Sequence, residues 1–99
     1  MYVVMSNFRV ANGLASEVRT AFLNRPHKVD HEDGFVRMEV MQPVEQPEDF
    51  WLTTYWRDRE SWERWYRSHS YKDSHSGMPP GLKLDPTQTE IRHFELFAE

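Results

Sequence analysis

Cysteine is absent from this chain of 99 residues. Disulfides, thiolate chemistry and cysteine-held zinc or iron–sulfur centres are therefore excluded. Long apolar runs are missing as well, and nothing approaches the roughly 20 residues that a membrane-spanning helix requires. An excess of positive charge is also lacking: 12 Lys and Arg stand against 16 Asp and Glu, for a formal net charge of -4. With a pI near 5.7 and no basic stripe, a nucleic-acid or other phosphate-binding surface is not expected. The opening stretch Met1–Val10 has an apolar flavour, but it contains Ser6, Asn7 and Arg9 and lacks a small-residue cleavage site. A soluble, cytoplasmic, single-domain protein over residues 1–99 is expected. Chains this short bury only about 60 to 65% of their unfolded surface, so pairing with a second copy is a natural way to gain core.

What the sequence does have is a concentration of rings. Between Ser61 and Gly77 the run SWERWYRSHSYKDSHSG carries two tryptophans, two tyrosines and two histidines. A packed core accounts for the aromatics but not for the histidines.

The order of elements follows from periodicity. Tyr2–Val10 reads as a strand with Tyr2, Val4, Phe8 and Val10 on one side and Val3, Met5 and Asn7 on the other. Both sides are partly apolar, as in a strand covered on both faces. Asn12 and Gly13 offer a turn and a helix start, Leu14, Val18, Ala21, Phe22 and Arg25 form one helical face, and Pro26 ends it. A second strand is expected over Phe35–Met41, a connection punctuated by Pro43 and Pro47, and a third strand in FWLTTYW. Asp58 is a suitable N-cap for a second helix to about Ser68. Ser70 with Asp73 resembles a capping box that restarts a short helix ending at Gly77. The loop MPPGLKLDP then leads to a fourth strand over Thr89–Phe97. The resulting β-α-β-β-α-β order is the α+β, ferredoxin-like arrangement with an antiparallel sheet. Two helices cover one face of four strands. The other face, expected to carry Tyr2, Val4 and Phe8, then calls for a second sheet from an identical chain.

Several residues are candidates for chemistry. If the Val3 and Met5 side of the first strand faces the helices, Asn7 is an amide beneath them that must find partners; otherwise it is a strand asparagine bonding a loop. Trp65 is either core or the flat wall of a pocket. His75 follows it by ten residues. In an unbroken helix the two would diverge by roughly 80°, so the break near Ser70 decides whether they share a cavity. Arg25, three residues after Phe22, is either a helix-end cation or an anchor for a carboxylate. The run HKVDHED places His27 and His31 among acidic residues, as divalent-metal ligands or as a solvated acidic loop.

These residues together resemble the antibiotic biosynthesis monooxygenase superfamily of dimeric α+β barrels, and within it the IsdG-type haem-degrading monooxygenases. The resemblance rests on Asn7 near the end of the first strand, the pair Gly34 and Phe35 entering the second, Trp56 closing the third, and SWERWYRSHSYKDSH with its helical Trp65 and later His75. It implies a homodimer that binds haem as both cofactor and substrate and uses dioxygen and an external electron donor to cleave the porphyrin and release iron. His75 would be the axial ligand, Trp65 the wall pressing on the ring, and Asn7 a hydrogen-bond donor near the open coordination position. Phe22 would line the pocket and Arg25 would approach a propionate. Such chemistry suits the residue types, because imidazole binds iron and an amide donates where an ionised carboxylate cannot. Tyr66 and Tyr71 add phenols near the site. The alternatives are a cofactor-free monooxygenase acting on a quinone-like aromatic, a haem-binding or transfer protein without turnover, and a structural relative with a filled pocket.

Overall fold

The computed structural model describes residues 1–68, 71 and 77–99. Four strands, β1 (Tyr2–Arg9), β2 (Phe35–Met41), β3 (Asp49–Trp56) and β4 (Glu90–Glu95), form one antiparallel sheet in the order β2-β3-β1-β4. Helix α1 (Ala15–Leu23) follows β1, and α2 (Arg59–Tyr66) follows β3. This is the expected ferredoxin-like architecture. The capping box of Ser70 and Asp73 lies outside the described residues.

Boundaries differ from expectation for local reasons. Asn12 does not start α1. Its amide instead donates to the Gly81 carbonyl at 2.7 Å and accepts from the Lys83 N–H at 3.3 Å, tying the β1–α1 turn to the loop before β4. Helix α1 begins after Leu14, without a side-chain cap. Strand β4 starts at Glu90 and its ladder ends at Glu95, opposite Tyr2, where β1 runs out of partners.

The faces of the sheet are assigned differently from the sequence expectation. Tyr2 lies 6.2 Å from Trp62 of α2, and Phe8 lies 6.3 Å from Phe22 of α1 and 5.4 Å from Phe50, ring centre to ring centre. The β1–β3 ladder runs without interruption from Tyr2 opposite Trp56 to Arg9 opposite Asp49. Because successive side chains alternate, Tyr2, Val4, Ser6 and Phe8 all face the helices. They do not form the outer face. That face takes Val3, Met5 and Asn7 of β1 beside Phe94, Tyr55, Thr53 and Trp51. A strand apolar on both sides does not reveal which side the helices will cover, and the fit of Phe8 between Phe22 and Phe50 decides it.

Strand β2 carries a bulge between Phe35 and Arg37. The extra residue brings Phe35 and Met38 to the same helix-side face, although their spacing reads as opposite faces. Phe35 thereby meets the fully buried Trp56 edge-on at 5.4 Å. The core divides into two groups. One gathers Val10, Val18 and Phe50 with Phe8 and Phe22, and the other gathers Val29, Trp56 and Trp65 with Tyr2, Phe35, Trp62 and Tyr71.

One polar knot holds α2 to the start of β2. Asp58 caps the helix as expected, accepting from the Ser61 N–H at 2.9 Å and the Ser61 hydroxyl at 2.6 Å. Those two bonds, with Arg57 at 3.0 Å, lower the Asp58 pKa to about 2. Gly34 sits against Ser61 with φ +86°, and a Cβ built there would fall on the Ser61 side chain. Gly34 is thus required both by its backbone conformation and by close packing. Gly34→Ala is expected to destabilise the fold by about 2–4 kcal/mol, combining left-handed strain with overpacking. Adding Ser61→Gly should relieve the clash but not the strain, and denaturant titration of both variants checks this. A carboxylate whose folded pKa lies below its unfolded value contributes stability above the unfolded pKa and loses it as pH falls through the folded one. Asp58→Asn keeps a cap but not the charge. The stability gap between wild type and Asp58→Asn should therefore narrow as pH falls from about 4 to about 2, as thermal melts across that window would show.

Candidate functional site

A cavity of about 840 Å³ lies between the helix-side face of the sheet and the two helices. That volume is within the usual ~300–1,000 Å³ of small-molecule sites. Its floor includes Val4, Ser6 and Phe8 of β1, Leu52 and Thr54 of β3, and Ile91 of β4. Helix α1 contributes Ala21 and Phe22, α2 contributes Trp62, Trp65 and Tyr66, and the segment after residue 77 closes the far side with Met78, Leu82 and Leu84.

Trp65 stands where both expectations for it meet. The residue is 8% exposed, and its ring packs 5.6 Å from Trp56 and meets Tyr71 edge-on at 4.9 Å, so it is core. It also borders the cavity, and its buried Nε1 has no hydrogen-bond partner among the described residues. By contrast, the Trp56 Nε1 donates to Thr54 Oγ1 at 2.9 Å. A buried indole N–H without a partner costs roughly 1–3 kcal/mol, which a ligand acceptor would recover. Tyr71 and Tyr66, 4.7 Å apart, extend the aromatic wall, and burial raises the Tyr71 pKa so that its phenol stays protonated.

Phe22 lines the cavity and is held by Phe8 and by Phe50 at 5.9 Å. Arg25 also borders it, just beyond the C-cap of α1. Its guanidinium is engaged by Asp30 through two bonds of 2.8 and 3.3 Å, and His27 Nδ1 approaches the same carboxylate at 3.1 Å. Arg25 holds the Asp30 carboxyl below its usual range, with His27 as a lesser cause. His27 adopts φ +57°, which aims this turn back at the carboxylate. The metal alternative for HKVDHED gains nothing from the geometry: His27 is drawn to Asp30 rather than to His31, and no group of three or more His, Asp or Glu converges among the described residues.

Asn7 borders the cavity, yet its place in the ladder is opposite Trp51 and Glu90, on the alternation of Val3 and Met5. Its Oδ1 is buried without a partner among the described residues, as is Thr53 Oγ1 on the same outer face. The residue that sequence reasoning passed over is Ser6, whose side chain takes the helix-side position between Leu52 and Ile91. The signal was available in Phe8. Once that ring is paired with Phe22, Ser6 must share its side. His75 and His69 lie outside the described residues. In sequence His75 falls between Tyr71 and Gly77, both of which border the cavity.

Comparison with known proteins bears on these features. Residues 1–77 match the family model described as antibiotic biosynthesis monooxygenase. The chain is 27% identical over 63 residues to a heme oxygenase (mycobilin-producing) of Mycobacterium tuberculosis (strain ATCC 25618 / H37Rv), covering 64% of this chain and 60% of that protein. It is 29% identical over 84 residues to a heme-degrading monooxygenase of Bacillus mycoides (strain KBAB4), covering 80% of this chain and 78% of that one. Among solved structures, heme-bound MhuD of Mycobacterium tuberculosis superposes with a TM-score of 0.76 at 22% identity, over 100% of this chain and 98% of that one. SnoaB of Streptomyces nogalater, a cofactor-independent oxygenase, superposes with a TM-score of 0.78 at 15% identity, over 99% and 94%. These structural likenesses establish the shared fold, and the match over most of the length places the chain in the antibiotic biosynthesis monooxygenase family.

Proposed function

We propose that the chain is a haem-degrading monooxygenase that opens the porphyrin ring oxidatively and releases its iron. The observation that carries this reading is the large, mainly apolar cavity with an aromatic wall bordered by Trp65, whose buried indole N–H has no partner among the described residues. A broad, flat, mostly apolar ligand with polar edges fits such walls, and the relatives named for haem breakdown support the same choice.

The residues present suit haem. His75 is proposed as the residue that would hold the haem iron, an imidazole that falls in sequence between two cavity-bordering residues, Tyr71 and Gly77. Trp65, packed against Trp56, would lie against the bound ring. Phe22 excludes water from the opposite wall. Arg25 anchors a propionate, and Asp30 competes for the same guanidinium. Asn7 keeps the place of a border residue at the strand end of the cavity. Haem, when bound, supplies the iron that activates dioxygen with electrons from an external donor, and its own ring is the substrate.

A second copy is proposed to cover the outer face of the sheet. The exposed Phe94 and the buried, unpartnered Asn7 Oδ1 and Thr53 Oγ1 lie on that face. The assembly would work in the cytoplasm. No helix among the described residues is long and apolar enough to cross a membrane.

A second reading, oxygenation of a quinone-like aromatic without a cofactor, draws on the hydroxyls of Ser6 and Tyr66 at the cavity wall, which suit a ring carbonyl. Titration of the protein with haemin, followed by reductant and air, separates the two. A saturating Soret band at one haem per chain that decays to a bilin-like spectrum is expected. His75→Ala should keep the fold and lose both the ligand-dependent band position and the decay. A stable band would instead indicate storage or transfer, and no saturable band would favour the quinone-like substrate. Asp30→Asn should free Arg25 and tighten haemin binding up to about fivefold, and Arg25→Ala should weaken it by a similar factor, as expected for a partly exposed ion pair of about 1 kcal/mol.

A further inference from the structure

We propose that the aromatic side chains between the cavity and Tyr2 form a one-electron relay, in which an oxidising equivalent arising in the cavity is passed outward and quenched at the Tyr2–His93 pair. The oxidant rests on the oxygenase reading above, but the geometry of the relay does not. Its rings stand in series. Trp65 meets Tyr71 at 4.9 Å, Tyr71 meets Tyr66 at 4.7 Å, and Tyr66 stacks on Trp62 at 5.0 Å, ring centre to ring centre. Trp62 then meets His93 edge-on at 4.8 Å and lies 6.2 Å from Tyr2. The first four rings border the cavity, whereas Tyr2 and His93 do not. Each step is thus a contact between neighbouring π-systems at the usual spacing of aromatic pairs. Packing alone accounts for Trp65 against Trp56, but not for a series that runs on to Tyr66, 45% exposed, and to an exposed imidazole.

The series ends where a proton can leave. A phenol that gives up an electron also gives up its proton, so a tyrosine settles as a radical only where a base takes that proton. The Tyr2 hydroxyl lies 2.5 Å from Nδ1 of His93, and with the neutral imidazole protonated at Nε2 the phenol donates to it. His93 is exposed on the edge strand β4, so a proton it accepts exchanges with water. Tyr71 is placed differently: burial and, after it, Tyr66 raise its pKa, so its phenol holds its proton and a charge passes through rather than staying. Tyr55 also donates to a base, Glu39 at 2.8 Å, but it stands on the outer face opposite Val3, away from the series.

A strong one-electron oxidant, formed when dioxygen or peroxide is activated in the cavity, gains one electron, and Tyr2 loses one. The Tyr2 O–H bond breaks and its proton passes to His93 Nδ1, leaving a neutral tyrosyl radical beside an imidazolium. A soluble reductant such as ascorbate then returns the electron, and the imidazolium returns the proton to the phenol oxygen. The rings in between are restored at each passage. The relay thereby protects the indoles of the cavity wall when an oxidant forms there without reacting with the ligand.

The absence of cysteine permits a test that needs no haem. A ruthenium polypyridyl photo-oxidant is attached through Met78→Cys, in the segment that closes the cavity. Flash oxidation is followed by electron paramagnetic resonance and by peptide mass spectrometry of nitroso spin-trap adducts. The principal tyrosine adduct is expected on Tyr2. With folding verified by circular dichroism, Trp62→Leu should lower its yield at least tenfold. His93→Phe, which keeps a ring but removes the base, should lower it at least fivefold. Should Trp62→Leu fail to fold, Tyr66→Leu interrupts the series at an exposed ring. Adducts confined to Tyr66 or Tyr71, an adduct chiefly on Tyr55, or a Tyr2 yield unchanged by the interrupting variant would overturn the relay. In haemin-loaded protein given hydrogen peroxide and ascorbate, Tyr2→Phe should leave haemin affinity within twofold and raise oxidation of Trp65 at least threefold. Unchanged Trp65 oxidation would remove the protective role. A lack of saturable haemin binding would contradict the haem reading alone, and the photo-oxidation result would still decide the relay.

Discussion

The wedging of Phe8 between Phe22 and Phe50 sets the phase of the central strand, and almost everything about the site depends on that phase. A strand has two faces and a period of two, so one contact of this kind assigns every other side chain along it. With Phe8 turned to α1, Tyr2 reaches Trp62 of α2, Val4 and Ser6 enter the cavity floor, and Asn7 takes the opposite alternation while still bordering the cavity. Three aromatic rings in mutual contact contribute more than their area alone, and no polar group in the strand opposes them strongly enough to reverse the choice.

The same economy governs the rest of the cavity. Trp56 is fully buried and has its N–H satisfied by Thr54, so it serves as a fixed platform. Trp65 rests on that platform with its N–H unsatisfied, and so keeps a polar edge available to a ligand. At the rim, Asp30 holds the Arg25 guanidinium through two bonds and is itself approached by His27, which orders the guanidinium. The cavity thus pairs a stiff aromatic wall with a small number of polar groups placed at its floor and mouth. That division is what recognition of a flat ligand with charged edges requires.

Much of this was legible in the residues. The order of six elements and the capping role of Asp58 follow from periodicity and capping chemistry, whereas Phe22 and Trp65 were tied to one pocket only through the family resemblance. The phase of β1 did not follow, because Val3 and Met5 are as apolar as Val4 and Tyr2 is amphipathic, so hydrophobicity alone leaves the two faces balanced. The bulge at Phe35 and Arg37 was equally hidden, since an extra residue changes alternation without changing composition. Asn12 read as a helix start because asparagine suits a cap, and the competing bonds to Gly81 and Lys83 are long-range. The rim bonds of Arg25 were visible only as a choice between a helix-end cation and an anchor, and the geometry adds Asp30 as a third party.

The central claim is that the ligand enters between the helices and the even-numbered face of β1. Titrating isotopically labelled protein with a diamagnetic zinc porphyrin and following side-chain NMR shifts tests it most directly, because the ring current reports which face the macrocycle lies against. Shifts concentrated on Val4, Ser6, Leu52, Ile91 and Phe22 are expected. Shifts concentrated on Val3, Met5, Thr53 and Tyr55 would place the ligand on the outer face and contradict the account.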